Sequence, residues 1–268
     1  MNRRRARHAA VLLALALLVV GCSSGGAVSP TAAAELQLYA AASLKKVLTD
    51  ATAAYTAANP GVTFALSTDS SAALETKIEQ GAPADVFLSA DTKNPQKLVD
   101  GGLASGAVTP IAGNLLTVAV PAGNPAGIAT PADLARAGVK VVAAGDEVPI
   151  TRYAAQLVDH LAKEPGYPAD FAASYAANVV SREDNVSAVL AKLALGEGDA
   201  GIVYVTDAKG ADGIETVAVP DGANVPATYG GVVVKASASP AAAGAFLEWL
   251  TGPAAQAVFA DAGFTPAP

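Results

Sequence analysis

Serine residues stand at two points where an alternating, strand-like run changes to a helical pattern. Ser43 lies in "YAAASLKKVLTD", between the alternating "LQLYA" and a run whose apolar residues recur at helical spacing. Ser70 and Ser71 lie in "STDSSAAL", after a second strand-like run. Such a junction offers free backbone N–H groups, a hydroxyl and the positive end of a helix dipole, which together favour an anion. Serine is also a preferred N-cap residue, so each serine has a purely structural interpretation as well.

The other residues of the sequence give little support for a catalytic site or a metal site. The sequence has no G-x-S-x-G elbow and no glycine-rich phosphate loop of the Walker or dinucleotide type. Beyond the N-terminal leader, His160 is the one histidine and Cys22 the one cysteine, which disfavours a zinc or copper site. Asp85 and Asp91 fit strand and loop ends as well as they fit a catalytic carboxylate pair. We expect no enzyme, since a hydrolase would have to bring Ser71 next to His160.

Residues 1–21 have the features of a secretory signal peptide. They contain four arginines, an apolar run over 9–20 and a small residue before Cys22. That run is shorter than the roughly 20 residues that span a membrane. The ending "LVVGC" resembles the bacterial lipobox, which predicts lipidation of Cys22 and hence a membrane anchor. Residues 22–35, small and polar behind the cysteine, predict a flexible tether, so the folded part is expected to begin at Leu36.

Acidic residues dominate the part of the chain that would be exported. The full sequence has 17 Lys plus Arg and 24 Asp plus Glu. Removal of residues 1–21 takes away four arginines and no acid, which leaves 13 basic against 24 acidic residues and a net charge of −11. This charge argues against nucleic acid as a partner and against binding to anionic membranes by charge alone.

Short apolar runs alternate with helical patterns from Leu36 onward, which is typical of an α/β fold with largely parallel sheets. Asp184 or Asn185 is predicted to cap a helix that ends at Gly196, and two further helices are predicted within 239–264. A crossing to a second lobe is predicted after strand 115–120, with a return at 229–231. Because open α/β sheets bind ligands beyond the carboxyl ends of their strands, both serine junctions are expected to face one cleft. The predicted strands are 36–40, 62–67, 84–89, 115–120, 140–143, 201–205, 216–219 and 231–235.

Four segments of the chain resemble the periplasmic molybdate-binding proteins of ABC importers. They are "YAAASL", "SSAALETKIEQGAPADVFLSAD", "GEGDAGIVYVTDA" and "GPAAQAVFADAGF", and the similarity runs in order from residue 36 to 264. The resemblance implies the two-lobed periplasmic-binding-protein fold of type II, in which each lobe is a mostly parallel sheet flanked by helices, with a hinge between them. The lobes would comprise 36–116 with 231–268, and 117–230.

The resemblance also implies a binding site for a tetrahedral oxyanion made of neutral donors. Three hydroxyls are expected to bind it, from Ser43, Ser71 and Tyr204, with Ser70 as a secondary candidate. Backbone N–H groups are expected from Ile150 and Val186. At Ile150 the chain reads "EVPIT" where the family often has V-P-A-G, a change that a backbone donor tolerates. No cofactor and no direct metal-cation ligand is expected, since the metal enters as an oxyanion.

The implied function is that of an extracytoplasmic, lipid-anchored binding protein. It would capture molybdate, and also tungstate, and deliver it as a monomer to an ABC transporter permease with its ATPase, held to the membrane through Cys22. Two alternatives stay open. One is a binding protein for sulfate or another tetrahedral oxyanion, and the other is a sensory or adhesion lipoprotein that uses the same fold without a transporter.

Overall fold

The computed structural model describes residues 33–267, which contain ten strands and nine α-helices. The predicted signal peptide, Cys22 and the tether up to residue 32 lie outside the described residues. The strands are β1 Ala34–Ala41, β2 Val62–Asp69, β3 Val86–Ser89, β4 Ala104–Asn114, β5 Leu116–Pro121, β6 Val141–Ala144, β7 Val179–Glu183, β8 Gly201–Tyr204, β9 Ile214–Val217 and β10 Ala227–Val234. The helices are α1 Lys45–Ala58, α2 Ser71–Glu79, α3 Lys93–Asp100, α4 Pro149–Leu161, α5 Phe171–Ala177, α6 Val186–Ala194, α7 Val205–Ala208, α8 Pro240–Thr251 and α9 Pro253–Ala262.

A five-stranded sheet in the order β2-β1-β3-β10-β4 organises one part of the molecule. Strand β1 lies between β2 and β3, and its residues Leu36, Leu38 and Ala40 are fully buried on one face. Helix α1 covers this sheet with its own apolar stripe, which contains Tyr55. The Tyr55 ring packs edge-on against Phe246 of α8, with centroids 5.1 Å apart. The alternation in "LQLYA" therefore predicted the core face of this strand correctly.

The strands between β4 and β10 form two smaller sheets. In one, β5 pairs with β8 and β9, both antiparallel, and in the other β6 pairs with β7 in parallel. An isolated parallel bridge from Val141 to Ala200 joins β6 to the segment just before β8. Helices α4 and α6 pack here through buried residues such as Leu157 and Leu193. No helix within residues 33–267 combines the length and the apolar character needed to cross a membrane.

The sheets are mixed, whereas the sequence predicted mostly parallel ones. Strand β10 runs antiparallel to β3 and β4, and β5 runs antiparallel to both of its neighbours. All eight predicted strands are present, but β4 and β7 were missed. Strand β4 is an edge strand that contains Gly106 and Pro110, residues that weaken a strand pattern. The predicted return point between 230 and 231 falls inside β10, which pairs within the five-stranded sheet from Ala227 onward. The lobe limits 36–116, 117–230 and 231–268 stay a prediction.

The carboxyl ends of five strands lead directly into the elements that carry the predicted site residues. Strand β1 continues into a 3-10 turn over Ala42–Leu44 and then α1, and β2 leads into α2. Strands β6 and β7 lead into α4 and α6, and β8 ends at Tyr204. Because strand ends of this kind gather loops and helix N-termini at one edge, the topology positions a ligand site there.

Candidate anion-binding site

One small cavity brings together the six residues that are predicted from the sequence to bind the ligand, with Ser70 among them as the secondary candidate. Its volume is about 10 Å³, and it lies between segments that are far apart in the chain. Whether these residues bind a ligand stays a prediction, but their convergence is a property of the fold. The lining residues are Ala41, Ala42, Ser43, Ser70, Ser71, Ala90, Val148, Pro149, Ile150, Asn185, Val186 and Tyr204.

The beginnings of four helical segments meet at this cavity. Ser43 lies in the 3-10 turn before α1, and Ser71 is the first residue of α2. Ile150 is the second residue of α4, and Val186 is the first residue of α6. Backbone N–H groups in the first turn of a helix have no intrahelical partner, and the helix dipole makes this end positive. The four segments therefore create a positive potential without a positive side chain.

Ser70 and Ser71 have different roles in the first turn of α2. The Ser70 hydroxyl caps the helix, since its oxygen accepts a hydrogen bond from the Ala73 N–H at 3.2 Å. The Ser71 oxygen accepts from the Ala90 N–H at 3.0 Å, which leaves the Ser71 proton free to donate elsewhere. Since the Ser70 oxygen is likewise only an acceptor in its cap, both hydroxyl protons are free, and Ser71 and Ser70 both stay candidate donors to the cavity.

Tyr204 contributes a buried hydroxyl without a hydrogen-bond partner among the described residues. Its side chain is 1% exposed, and its ring packs against Tyr153 and Tyr229 at centroid distances of 6.3 and 5.5 Å. Burial raises the pKa of Tyr204 well above its ordinary value, so the hydroxyl keeps its proton. Leaving such a donor unpaired costs about 1–3 kcal/mol, which points to a ligand as its partner.

Two other buried atoms of residues 33–267 lack a hydrogen-bond partner, and neither residue lines the cavity. They are Oε1 of Glu75 and Oδ2 of Asp207. Burial raises the pKa of Asp207 to about 8. The Asp207 carboxyl is therefore mainly protonated at neutral pH and adds little negative charge beside Tyr204.

Within residues 33–267, no lysine or arginine lines the cavity. Arg152, two residues after Ile150, pairs instead with Asp91, with Nη2 and Oδ2 2.7 Å apart. Arg182 pairs with Asp146 on the surface, with Nη1 and Oδ1 2.9 Å apart. Since both guanidinium groups face carboxylates, the groups available to an anion are neutral hydroxyl and N–H donors.

The structure does not support the catalytic alternatives that the sequence left open. His160 lies ten residues beyond Ile150 on α4, roughly 15 Å along the helix axis, and its Nδ1 is 3.1 Å from the Ala223 carbonyl oxygen. Asp85 accepts hydrogen bonds from Gln37 and Ala238 backbone N–H groups. These contacts, like the ion pair of Asp91, are structural.

Two residues next to the cavity were missed by the sequence analysis. The Tyr229 hydroxyl donates to the Ser43 oxygen at 3.0 Å, and the Asn114 amide donates to the Tyr229 oxygen at 3.3 Å. Tyr229 had been interpreted only as part of the return between lobes. The sequence does carry a signal for Tyr229, a polar aromatic residue next to two glycines in a mostly apolar strand.

Comparison with known proteins identifies relatives along nearly the whole chain. Residues 36–265 match the family model described as bacterial extracellular solute-binding protein. The molybdate-binding protein ModA of Mycobacterium tuberculosis strain H37Rv is 34% identical over 261 residues, which cover 94% of this chain and 95% of the relative.

Solved structures confirm the fold. The periplasmic molybdate-binding protein of Azotobacter vinelandii has a TM-score of 0.72 at 24% identity, covering 87% of this chain and 100% of that one. The sulfate-binding protein SubI of Mycobacterium tuberculosis H37Rv has a TM-score of 0.77 at 24% identity, covering 87% and 86% of the two chains. The predicted two-lobed periplasmic-binding-protein fold of type II is therefore confirmed. The chain belongs to the bacterial extracellular solute-binding protein family.

Proposed function

We propose that this protein is the binding component of an ABC importer for molybdate, and that it also accepts tungstate. The observation that carries the proposal is the buried hydroxyl of Tyr204, which has no hydrogen-bond partner among residues 33–267. Tyr204 lines a cavity together with three serines and the starts of four helical segments, and no lysine or arginine of the described residues is part of that lining. The 34% identical relative, itself a molybdate-binding protein, supports this choice of ligand. A permease with its ATPase is the expected partner, and the protein is expected to act as a monomer.

Neutral donors suit a fully deprotonated oxyanion. A hydrogen bond from a neutral donor to a charged oxygen contributes roughly 1.5–3 kcal/mol, so several together offset the cost of removing a dianion from water. Every oxygen of such an ion accepts, and therefore no donor in the cavity is left facing another donor. A protonated phosphate would set its own O–H group against one of these donors.

Calorimetric titration of the purified protein with four anions tests the proposal. Molybdate and tungstate are expected to bind at one site with similar affinity, because both are tetrahedral dianions of similar size. Sulfate, which is smaller, and phosphate, which carries a proton at neutral pH, are expected to bind more weakly by at least roughly tenfold, about 1.4 kcal/mol. Tight binding of sulfate with no binding of molybdate would contradict the proposal and support the alternative oxyanion.

Membrane attachment is a separate prediction, which rests on the "LVVGC" ending before the folded part. The variant Cys22→Ala removes the thiol that would carry the lipid, so it is expected to leave the membrane fraction. Molybdate titration of the purified variant serves as the control and should match the wild type, since the cavity lies entirely within residues 41–204. Wild-type protein found wholly outside the membrane fraction, with a mature N-terminus other than Cys22, would contradict lipidation.

A further inference from the structure

A chain of buried hydrogen bonds ends at Ser43, and one direction along it gives every donor an acceptor. Its first member is the backbone N–H of Leu115, which donates to Oδ1 of Asn114 at 2.9 Å. This contact fixes the orientation of the Asn114 amide, because only the oxygen can accept. The Nδ2 group must therefore face Thr206 Oγ1 at 2.8 Å and the Tyr229 oxygen at 3.3 Å, and it can only donate to them.

The direction passes from Asn114 through Tyr229 to Ser43. Since the Tyr229 oxygen accepts from Asn114, its own proton is free for the Ser43 oxygen, 3.0 Å away. Asn114 is 1% exposed, Tyr229 0% and Ser43 6%, so water competes little for these contacts. Ser43 thus accepts at one side, and its single proton can point to the cavity.

The opposite arrangement would place a lone pair toward the ligand. If Ser43 donated to Tyr229, the Ser43 oxygen would face the cavity with lone pairs only, and these repel the oxygens of an oxyanion. The direction of the Ser43 hydroxyl therefore decides whether this residue attracts or repels the ligand. The position of Ser43 in the 3-10 turn does not set that direction.

We propose that Asn114 and Tyr229 are positioning residues that hold the Ser43 hydroxyl as a donor toward the oxyanion. The inference rests on the proposed function, because it requires an anion in the cavity. Tyr229 contacts two predicted ligand-binding residues: its hydroxyl donates to Ser43, and its ring packs against Tyr204 with centroids 5.5 Å apart, a contact that phenylalanine would keep. Its ring also packs edge-on against Phe264, with centroids 5.4 Å apart, and phenylalanine would keep that contact.

A double-mutant cycle with Tyr229→Phe and Ser43→Ala tests this role by molybdate titration of the full-length protein. Tyr229→Phe alone is expected to weaken binding by roughly three- to tenfold, about 1 kcal/mol. In the Ser43→Ala background the same change should add less than about twofold, because the Tyr229 hydroxyl, the one group that the change removes, donates to Ser43, whereas the ring contacts stay. Tyr55→Phe is the matched control, a buried tyrosine in the core beside Phe64 and Phe246, and should bind as the wild type does.

Asn114→Leu provides a second route to the same result, since it removes the donor to Tyr229 while keeping a side chain of similar size. Its effect on molybdate affinity should likewise become smaller in the Ser43→Ala background, and what remains is the part that passes through its contacts with Thr206 and the Leu115 N–H. Equal losses with and without Ser43, or wild-type affinity of Tyr229→Phe, would overturn the positioning role. A wild-type protein that binds no molybdate would instead overturn the proposed function, so the two failures are distinguishable.

Discussion

Ser71→Asp is expected to abolish molybdate binding while leaving the fold intact. Ser71 lines the cavity with a side chain that is 1% exposed, so a carboxylate there would lie next to the dianion. One negative charge about 4 Å from a dianion costs about 8 kcal/mol at an effective dielectric constant of about 20. Even a fraction of this repulsion would weaken binding by more than about a thousandfold.

The helix should tolerate this substitution. Ser71 is the first residue of α2, where a negative side chain interacts favourably with the helix dipole. The Ala90 N–H, which donates to Ser71 Oγ, would still find an acceptor in the carboxylate. Burial of a carboxyl group costs free energy, so the Tm of ligand-free Ser71→Asp should fall, but its unfolding should stay cooperative because the helix start and the Ala90 N–H offset part of that cost.

Ser239→Asp is the matched control for Ser71→Asp. Ser239 is the N-cap residue of α8 and does not line the cavity, so the variant adds the same charge at another helix start. Calorimetric titration should show wild-type affinity for Ser239→Asp and no measurable binding for Ser71→Asp. If Ser71→Asp bound molybdate within tenfold of the wild type, the cavity would not be the binding site.

Local sequence patterns predicted most strands of this fold, but they could not predict how the strands pair. The alternation of apolar residues before Ser43 correctly indicated that one face of β1 is buried. The N-cap signal at Asn185 predicted α6, and the Asn185 side chain caps the first turn of that helix. Strand direction in the sheet depends on partners distant in the chain. Strand β10 pairs antiparallel with β3 although about 140 residues separate them, and no local pattern encodes this.

The residues of the site also differ in whether a local sequence pattern could predict them. Ser43 and Ser71 could be recognised as anion-binding candidates from their own junctions, because helix starts and hydroxyls are local features. Tyr204, Ile150 and Val186 were added by resemblance alone. The contacts of Tyr229 with Ser43 and with Asn114 join residues 186 and 115 positions apart, and only the folded structure brings them together.

Tyr204→Phe is expected to weaken molybdate binding and, at the same time, to stabilise the ligand-free protein. The hydroxyl is a buried donor without a partner among residues 33–267, so its removal relieves a desolvation cost in the free protein. With ligand bound, the same change removes one charge-assisted hydrogen bond. We expect a loss of about 1–3 kcal/mol in binding, roughly five- to more than a hundredfold, with a higher Tm of the free protein.

Arg152→Gln is the variant that separates neutral donors from a cation as the source of affinity. Arg152 is the arginine nearest in sequence to Ile150, but its guanidinium faces Asp91. Its substitution should lower the Tm of the free protein and change molybdate affinity much less than Tyr204→Phe does. Calorimetry and thermal unfolding are measured for both variants. A lower Tm of Arg152→Gln would show that Arg152 stabilises the fold, and a higher Tm of Tyr204→Phe would show that the Tyr204 hydroxyl does not. Loss of binding in Arg152→Gln together with full binding in Tyr204→Phe would mean that a cation holds the anion, because a neutral-donor cavity cannot produce that pair of results.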